Sequence, residues 1–97
     1  MQAGNTASED KEIITVTKPT IELKKNKGEI IIKVTDNEEV TKVVYEINGT
    51  IYTKENNGNN KKEFEIRDLL SKGKNIIKVT AYNKEGLTAE KVGQCTY

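Results

Sequence analysis

The chain has no histidine and no tryptophan, and it contains one cysteine and one proline among its 97 residues. The absence of histidine removes the most common general base and the most common metal ligand. Cys95 cannot form an internal disulfide, so the fold must hold by packing alone, and we expect an unpaired small residue there. The two serines, Ser8 and Ser71, lie in a linker-like stretch and a predicted turn. We therefore expect no enzyme activity, because no nucleophile has a candidate base.

Long apolar runs and an excess of one charge are also missing. No stretch approaches the ~18 apolar residues that cross a bilayer, and the opening MQAGNTASEDKE lacks the apolar core of a secretory signal. Charged residues make up 32% of the chain, but the net charge is +1 and Arg67 is the single arginine. Recognition of phosphates and base edges favours arginine. We expect neither a nucleic-acid partner nor membrane insertion.

What is present fits one domain with a thin aliphatic core, because 34% of residues are apolar and only 5% are aromatic. Residues 1–11 are small and polar and cannot offset their ordering entropy, so we predict a flexible arm or linker. Residues 12–97 then form a single domain. The recurring pattern within it is alternation of apolar and polar residues, which predicts strands with one buried face.

The clearest strand lies between Lys72 and Gly86. Its apolar residues Ile77, Val79 and Ala81 fall on the predicted buried side. Other predicted strands are Thr20–Lys24, Glu29–Thr35, Val40–Ile47 with its partner Thr50–Thr53, Glu63–Arg67, and a last strand after Gly86. Together they predict an all-β sandwich of about seven antiparallel strands in two sheets.

Asn48-Gly49 predicts a hairpin with a two-residue turn, because both central residues of such a turn need positive φ. This register places Tyr45 opposite Tyr52, turned toward the core, and Ile51 opposite Glu46. Asn48-Gly49-Thr50 also matches a glycosylation sequon, but the hairpin explains the same residues.

Four segments carry weaker expectations. Glu12–Thr17 forms an edge strand interrupted by Pro19 or pairs outside this domain. Glu55–Lys62 is a polar loop with no packing residue, expected to be mobile. Asp68–Ser71 is expected to make a helical turn or tight corner, with one leucine closing the core. The last strand is expected to need a bulge near Lys91 to reconcile its apolar positions.

Three kinds of binding site can be considered. Weak metal candidates are Asp36, Glu38, Glu39 and Glu85, although their spacing matches no calcium motif and solvated turn acids explain them equally well. Interface candidates are the apolar residues predicted on outer faces, namely Ile31, Val44, Ile51, Ile76 and Tyr82. A platform for stacking sugars could use tyrosines, but Tyr45 and Tyr52 are predicted to face inward. We expect no cofactor.

Three segments in order, PTIEL, GEIIIKVTDNEEVTKVVYEING and FEIRDLLSKGKNIIKVTAYNKEG, resemble a bacterial immunoglobulin-like (Big-type) domain. The family pattern of the last segment is matched by Phe64, Leu70, Gly73, Asn75, Ile77, Val79, Ala81, Asn83 and Gly86. The resemblance covers Pro19 to about Thr96. The family often has an aspartate where this chain has Asn83, and in some members that aspartate helps to hold calcium, for which asparagine is a poorer ligand.

The resemblance implies an immunoglobulin-like sandwich and a non-catalytic role. Such domains act as spacer, adhesion or decorating modules in bacterial surface proteins and phage particles. The expected location is therefore extracellular or at the cell surface within a larger protein, or in a virion, with a protein partner or neighbouring domain. The alternative is a carbohydrate-binding accessory domain of a secreted enzyme, whose partner would be a glycan.

Overall fold

The computed structural model describes residues 17–97, and within that range it contains seven strands and no helix. The strands are β1 Thr20–Asn26, β2 Glu29–Thr35, β3 Val40–Ile47, β4 Thr50–Glu55, β5 Glu63–Leu69, β6 Lys74–Asn83 and β7 Thr88–Thr96. They form two antiparallel sheets in the orders β1-β2-β5 and β4-β3-β6-β7. The predicted all-β sandwich is confirmed, and the fourth strand pairs with the third at the edge of the larger sheet.

The predicted arm, residues 1–11, lies outside the described residues. Of the predicted first strand Glu12–Thr17, only Thr17 is described, and it lies ahead of β1 outside any strand. Pro19 is buried and leads directly into β1.

The core lies between the two sheets and is built from alternate residues of the strands. On β6, Ile77, Val79 and Ala81 are buried, as the alternation predicts. The inward residues of the facing strands are also buried, among them Ile21, Ile30, Ile32, Val34, Val43, Tyr45, Ile47 and Ile66. Burying each of the larger aliphatic side chains stabilises the fold by about 1.5–3 kcal/mol.

The hairpin of β3 and β4 has the predicted register. Asn48 and Gly49 have φ values of 51° and 92°, the positive values that a two-residue turn requires. Tyr45 lies opposite Tyr52 and Glu46 opposite Ile51. The two tyrosine rings stack with their centroids 5.0 Å apart.

Of the two alternatives predicted for Asp68–Ser71, the helical turn is wrong, because β5 continues to Leu69, and the chain bends only afterwards, at Lys72 and Gly73. The pleat turns Leu69 outward and leaves the following residue, Leu70, to close the core. The backbone N–H of Leu70 donates to the carbonyl of Gly28 at 2.8 Å, which fixes Leu70 against the β1–β2 turn. The expectation that one leucine plugs the core is confirmed.

The predicted bulge near Lys91 is also wrong. β7 pairs with β6 residue by residue from Thr88 to Thr96, and the irregularity lies instead between Val40 and Lys42 on β3. Val92 faces outward and is exposed. On the inward side, a Cβ added to Gly93 would lie 3.0 Å from Leu23 Cδ1, so the end of the Leu23 side chain would have to shift to admit it.

The loop after β4 contains a packing residue, contrary to expectation. Asn56 is buried, and its Nδ2 donates to the carbonyl of Val40 at 2.9 Å. Its Oδ1 accepts from the N–H of Gly58. The sequence does not distinguish an asparagine that bonds buried backbone groups from one that faces solvent, so composition could not predict this role.

The sandwich has two ends, which we name by the direction of the chain. The amino end carries Thr17–Pro19, the turn Asp36–Glu39 and the turn Asn83–Gly86, beside the start of β1. The carboxyl end carries the turns at Lys27–Gly28 and Asn48–Gly49, the segment Ser71–Gly73 and Tyr97, beside the end of β7.

Candidate binding surfaces

The predicted interface residues divide between two opposite faces of the molecule. Val44, Ile51, Ile76 and Tyr82 lie on the outer face of the four-stranded sheet, and Ile31 lies on the outer face of the three-stranded sheet. The structure therefore brings four of the five onto one face and leaves Ile31 on the other. The alternation of apolar and polar residues predicts which side chains of a strand point outward. It does not predict which of the two sheets the strand joins.

The outer face of the four-stranded sheet does not form a continuous apolar patch. The register places Glu46 and Lys78 side by side in the middle of the sheet, between Ile51 on β4 and Val92 on β7. Opposite charges on neighbouring strands stabilise such a pair. The apolar residues are thus separated by a charged pair.

Tyr82 on the same face is covered in part by a cation. The ammonium group of Lys42 lies 4.7 Å from the ring centroid of Tyr82, within the range of a cation–π contact. Tyr45 and Tyr52 lie on the inner side of the sheet, so the three tyrosines do not share one stacking surface.

Ile31 lies between two long basic side chains on the neighbouring strands, Lys24 and Arg67. Arg67 bonds Glu65 at 3.0 Å and approaches Glu29 at 3.6 Å. The aliphatic stems of such residues cover apolar surface while their charged groups stay in water, and Ile31 is accordingly half-buried.

The weak metal candidates lie in turns at the amino end, where Asp36 has a structural role. Asp36 is buried, and its Oδ1 accepts from the N–H of Glu38 at 2.8 Å. The expectation that all acids of this turn face solvent is therefore wrong for Asp36. Among residues 17–97, no group of three or more His, Cys, Asp or Glu side chains lies close enough to hold a metal ion.

Asn83 is the side chain that joins this turn to its neighbours. Its Nδ2 donates to Asp36 Oδ2 at 3.1 Å and to the carbonyl of Thr17 at 2.9 Å. Its Oδ1 accepts from the N–H groups of Glu85 and Leu87. An aspartate could not make the first two bonds, because an ionised carboxylate only accepts. Asparagine fits this position because its side chain both donates and accepts, and the four hydrogen bonds it makes are to other groups of the protein.

Asn75 plays a similar part at the carboxyl end. It is fully buried, its Oδ1 accepts from the N–H of Ser71, and its Nδ2 donates to the carbonyls of Ser71 and Gly73. Asn48 Nδ2 donates to Asn75 Oδ1 at 3.0 Å. The amide of the sequon residue is thus engaged within the fold.

Sequence reasoning missed an apolar depression at the carboxyl end. Leu69 is 74% exposed, and Tyr97 is also exposed. Both line an open depression of about 470 Å³, together with Gly28, Leu70 and the polar residues Asn26, Lys27 and Glu29. The ammonium group of Lys72 lies 4.3 Å from the Tyr97 ring centroid. The adjacent leucines Leu69 and Leu70 could have indicated this surface, because successive residues of a strand point to opposite sides and one of the two must be exposed.

A second surface is β4 itself, of which only Ile51 is among the predicted interface residues. All six of its residues are exposed, and it forms one edge of the four-stranded sheet. The alternation of β4 predicted one face in the core, but the three-stranded sheet does not extend far enough to bury it.

Residues 17–97 include no helix with the length and apolarity needed to cross a membrane. Comparison of the chain with known proteins found no matching family model, no similar curated protein and no similar solved structure.

Proposed function

We propose that this chain is a non-catalytic module that spaces or attaches the parts of a larger assembly. The observation that carries the proposal is the path of the chain, which passes through the sandwich from one end to the other. The resemblance to bacterial immunoglobulin-like domains supports the same role. On that resemblance we place the module in an exported surface protein or a phage particle.

The path of the chain follows from the strand directions. Pro19 leads into β1 at the amino end, and β7 finishes at the carboxyl end. β6, which runs between the two ends, has ten residues, and at 3.3–3.4 Å per residue it spans roughly 33 Å. Neighbours attached on both sides would be held about that far apart.

Both points of attachment are tied to the sandwich by hydrogen bonds. At the amino end, Thr17 accepts from Asn83 through its carbonyl and bonds Asn37 through its hydroxyl at 3.0 Å. At the carboxyl end, Tyr97 and Gly73 exchange both of their backbone hydrogen bonds at 2.9 Å. Such ties transmit the orientation of the domain to whatever adjoins it.

The two ends also differ in polarity. The depression at the carboxyl end exposes the apolar residues Leu69 and Tyr97, with Lys27 and Glu29 at its margin. The turns of the amino end carry acids, and Lys84 approaches one of them, Glu38, at 4.0 Å. An apolar depression gains from being covered. A neighbouring domain at the carboxyl end would supply that contact.

A tandem of two full-length chains tests the proposal by small-angle X-ray scattering. We expect an elongated particle whose largest dimension exceeds that of one chain by at least roughly one strand length, about 33 Å. The same tandem with Leu69→Ser in the first copy should bend more freely, because the contact at the carboxyl end is weakened. A compact, folded-back pair would contradict the proposal, as would turnover of a substrate by the isolated chain.

The proposed location has a separate test. Antibodies against the chain should label intact cells of its host or purified phage particles. If the antibodies labelled the chain only after the cells were permeabilised, and only in cells without phage particles, both locations would be ruled out.

A further inference from the structure

The exposed edge strand β4 has the features of a pairing surface. Within residues 17–97 it pairs with β3 alone. It carries two large exposed side chains on opposite faces, Ile51 at 64% and Tyr52 at 38%. An edge strand that presents free backbone groups is a template for another strand.

The hairpin geometry determines which backbone groups of β4 are free. In a two-residue hairpin, the residues that flank the turn, here Ile47 and Thr50, exchange both backbone hydrogen bonds. Because hydrogen-bonded and non-hydrogen-bonded pairs alternate along an antiparallel ladder, the N–H and C=O groups of Tyr52 and Lys54 also point to β3. The bond from the N–H of Asn56 to the carbonyl of Thr41, at 2.9 Å, continues the same alternation. The N–H and C=O groups of Ile51, Thr53 and Glu55 consequently point away from the sheet.

The two edges of the three-stranded sheet carry more protective features than β4. β1 follows Pro19 and carries Lys24 and Lys25, and β5 has charged residues at most of its outward positions. Lysine, proline and bulges are the usual protection of an edge against pairing. β4 carries one lysine, Lys54, contains no proline, and pairs with β3 without a register shift.

We propose that β4 pairs antiparallel with β4 of a second copy of this chain, around a twofold axis at Thr53. In this register Thr53 faces Thr53 of the second copy, and Ile51 faces Glu55 of the second copy. All the outward backbone groups of Ile51, Thr53 and Glu55 then find partners. The two four-stranded sheets become one continuous sheet, and the contact is isologous, as a twofold dimer requires.

The side chains are complementary in this register and favour a second copy over an arbitrary peptide. Tyr52 faces Lys54 of the second copy, so an ammonium group can lie over a ring that already stacks on Tyr45. The threonine pair at the axis is a favourable cross-strand pair. No like charges lie directly opposite each other. The alternative symmetric register, with Tyr52 opposite Tyr52, leaves the backbone of Glu55 opposite the turn residue Gly49.

Thr53→Pro tests the pairing without removing a bond of the fold. The N–H of Thr53 points away from β3, and proline is tolerated at such edge positions. We expect the wild-type chain to sediment as a concentration-dependent dimer, and the dissociation constant of Thr53→Pro to be at least about tenfold higher. Thr53→Val keeps the N–H and the branched side chain, and should dimerise like wild type.

Gln94→Pro on the edge strand β7 is the second control. The reciprocal bonds of Gly73 and Tyr97 imply that the N–H of Gln94 also points away from its sheet. This variant should keep the dimer, because the proposed contact does not use β7.

Amide hydrogen exchange on the wild-type chain gives a result that does not depend on any variant folding. The amides of Ile51, Thr53 and Glu55 should exchange more slowly as the protein concentration rises. A wild-type monomer at all concentrations would overturn the proposal, and so would protection at another surface or equal dimerisation of Thr53→Pro and Thr53→Val. The pairing uses the side of the sandwich and leaves both ends free, so it does not depend on the proposed spacer role.

Discussion

The phenol of Tyr45 on β3 donates a hydrogen bond to Asp68 Oδ2 on β5 at 2.7 Å, and this bond joins the two sheets across the core. Tyr45 is almost completely buried, and Tyr52 stacks on its ring. Burial raises the pKa of Tyr45 above its usual value, and the hydrogen bond to Asp68 and the negative charge of that residue raise it further. The tyrosine is therefore held in its neutral, donating form.

Tyr45→Phe should destabilise the domain at neutral pH by about 1–2 kcal/mol, because a buried hydrogen bond to a charged acceptor is lost while the ring stays. Urea denaturation at pH 7 measures this. Tyr52→Phe is the matched control, since Tyr52 is partly exposed, and it should change the free energy of unfolding little. Equal effects of the two changes would contradict the role given to the Tyr45–Asp68 bond.

The same tyrosine should make the domain sensitive to alkali. Above the pKa of an unfolded tyrosine, about 10, the unfolded chain releases a proton that the folded chain retains, so stability falls as pH rises. The stability of wild type should fall faster than that of Tyr45→Phe above pH 10, by up to about 1.4 kcal/mol per pH unit. Thermal melts of both proteins between pH 8 and pH 11 check this, and parallel curves would refute it.

Adjacent isoleucines on β6 should respond oppositely to the same substitution. Ile77 is 1% exposed and Ile76 is 51% exposed. Ile77→Asp should abolish folding, because an unpaired charge in the core costs more than about 4 kcal/mol, a large part of the stability of a small domain. Ile76→Asp should lower the melting temperature only slightly. Circular dichroism distinguishes them, and similar behaviour would show that the assigned faces are wrong.

Asn83→Ala should destabilise the amino end by about 1–3 kcal/mol, since it removes four hydrogen bonds and leaves Asp36 Oδ2 without its donor. Asn57→Ala in the exposed loop should have almost no effect. Chemical denaturation of both variants provides the comparison. If Asn83→Ala were as stable as Asn57→Ala, the network would not contribute to stability.

Chelation of divalent cations should leave the melting temperature unchanged, because Asp36 already uses both carboxylate oxygens on protein donors. The measurement is a thermal melt with excess chelator, repeated with added calcium. A rise in the midpoint with calcium would reinstate Glu38, Glu39 or Glu85 as ligands, since binding to the folded state stabilises it.

Much of the fold could be predicted from local patterns. The alternation of Ile77, Val79 and Ala81 assigned the buried face of β6, because the period of a strand is fixed at two residues. Asn48-Gly49 specified the β3–β4 register, because few residues adopt positive φ at low cost. These features depend on a residue and its neighbours in the chain, so the sequence contains them directly.

The errors occurred where contacts distant in sequence decide the outcome. The strand β5 continues to Leu69 where a helical turn was predicted, and beyond it Leu70 bonds the carbonyl of Gly28, a residue 42 positions earlier. Asn56 and Asn57 are equally polar, and the backbone of Val40 and Thr41 makes the first of them a buried residue.

By itself, the amino-acid sequence determined that this chain forms strands with an aliphatic core and a tight hairpin, because periodicity and turn chemistry are local properties. Tertiary structure alone decided that Ile31 lies on the opposite face from Val44, that β4 extends beyond the facing sheet, and that Asp36 bonds Asn83. Those outcomes depend on which strands become neighbours, and strand pairing is a free-energy balance over the whole chain.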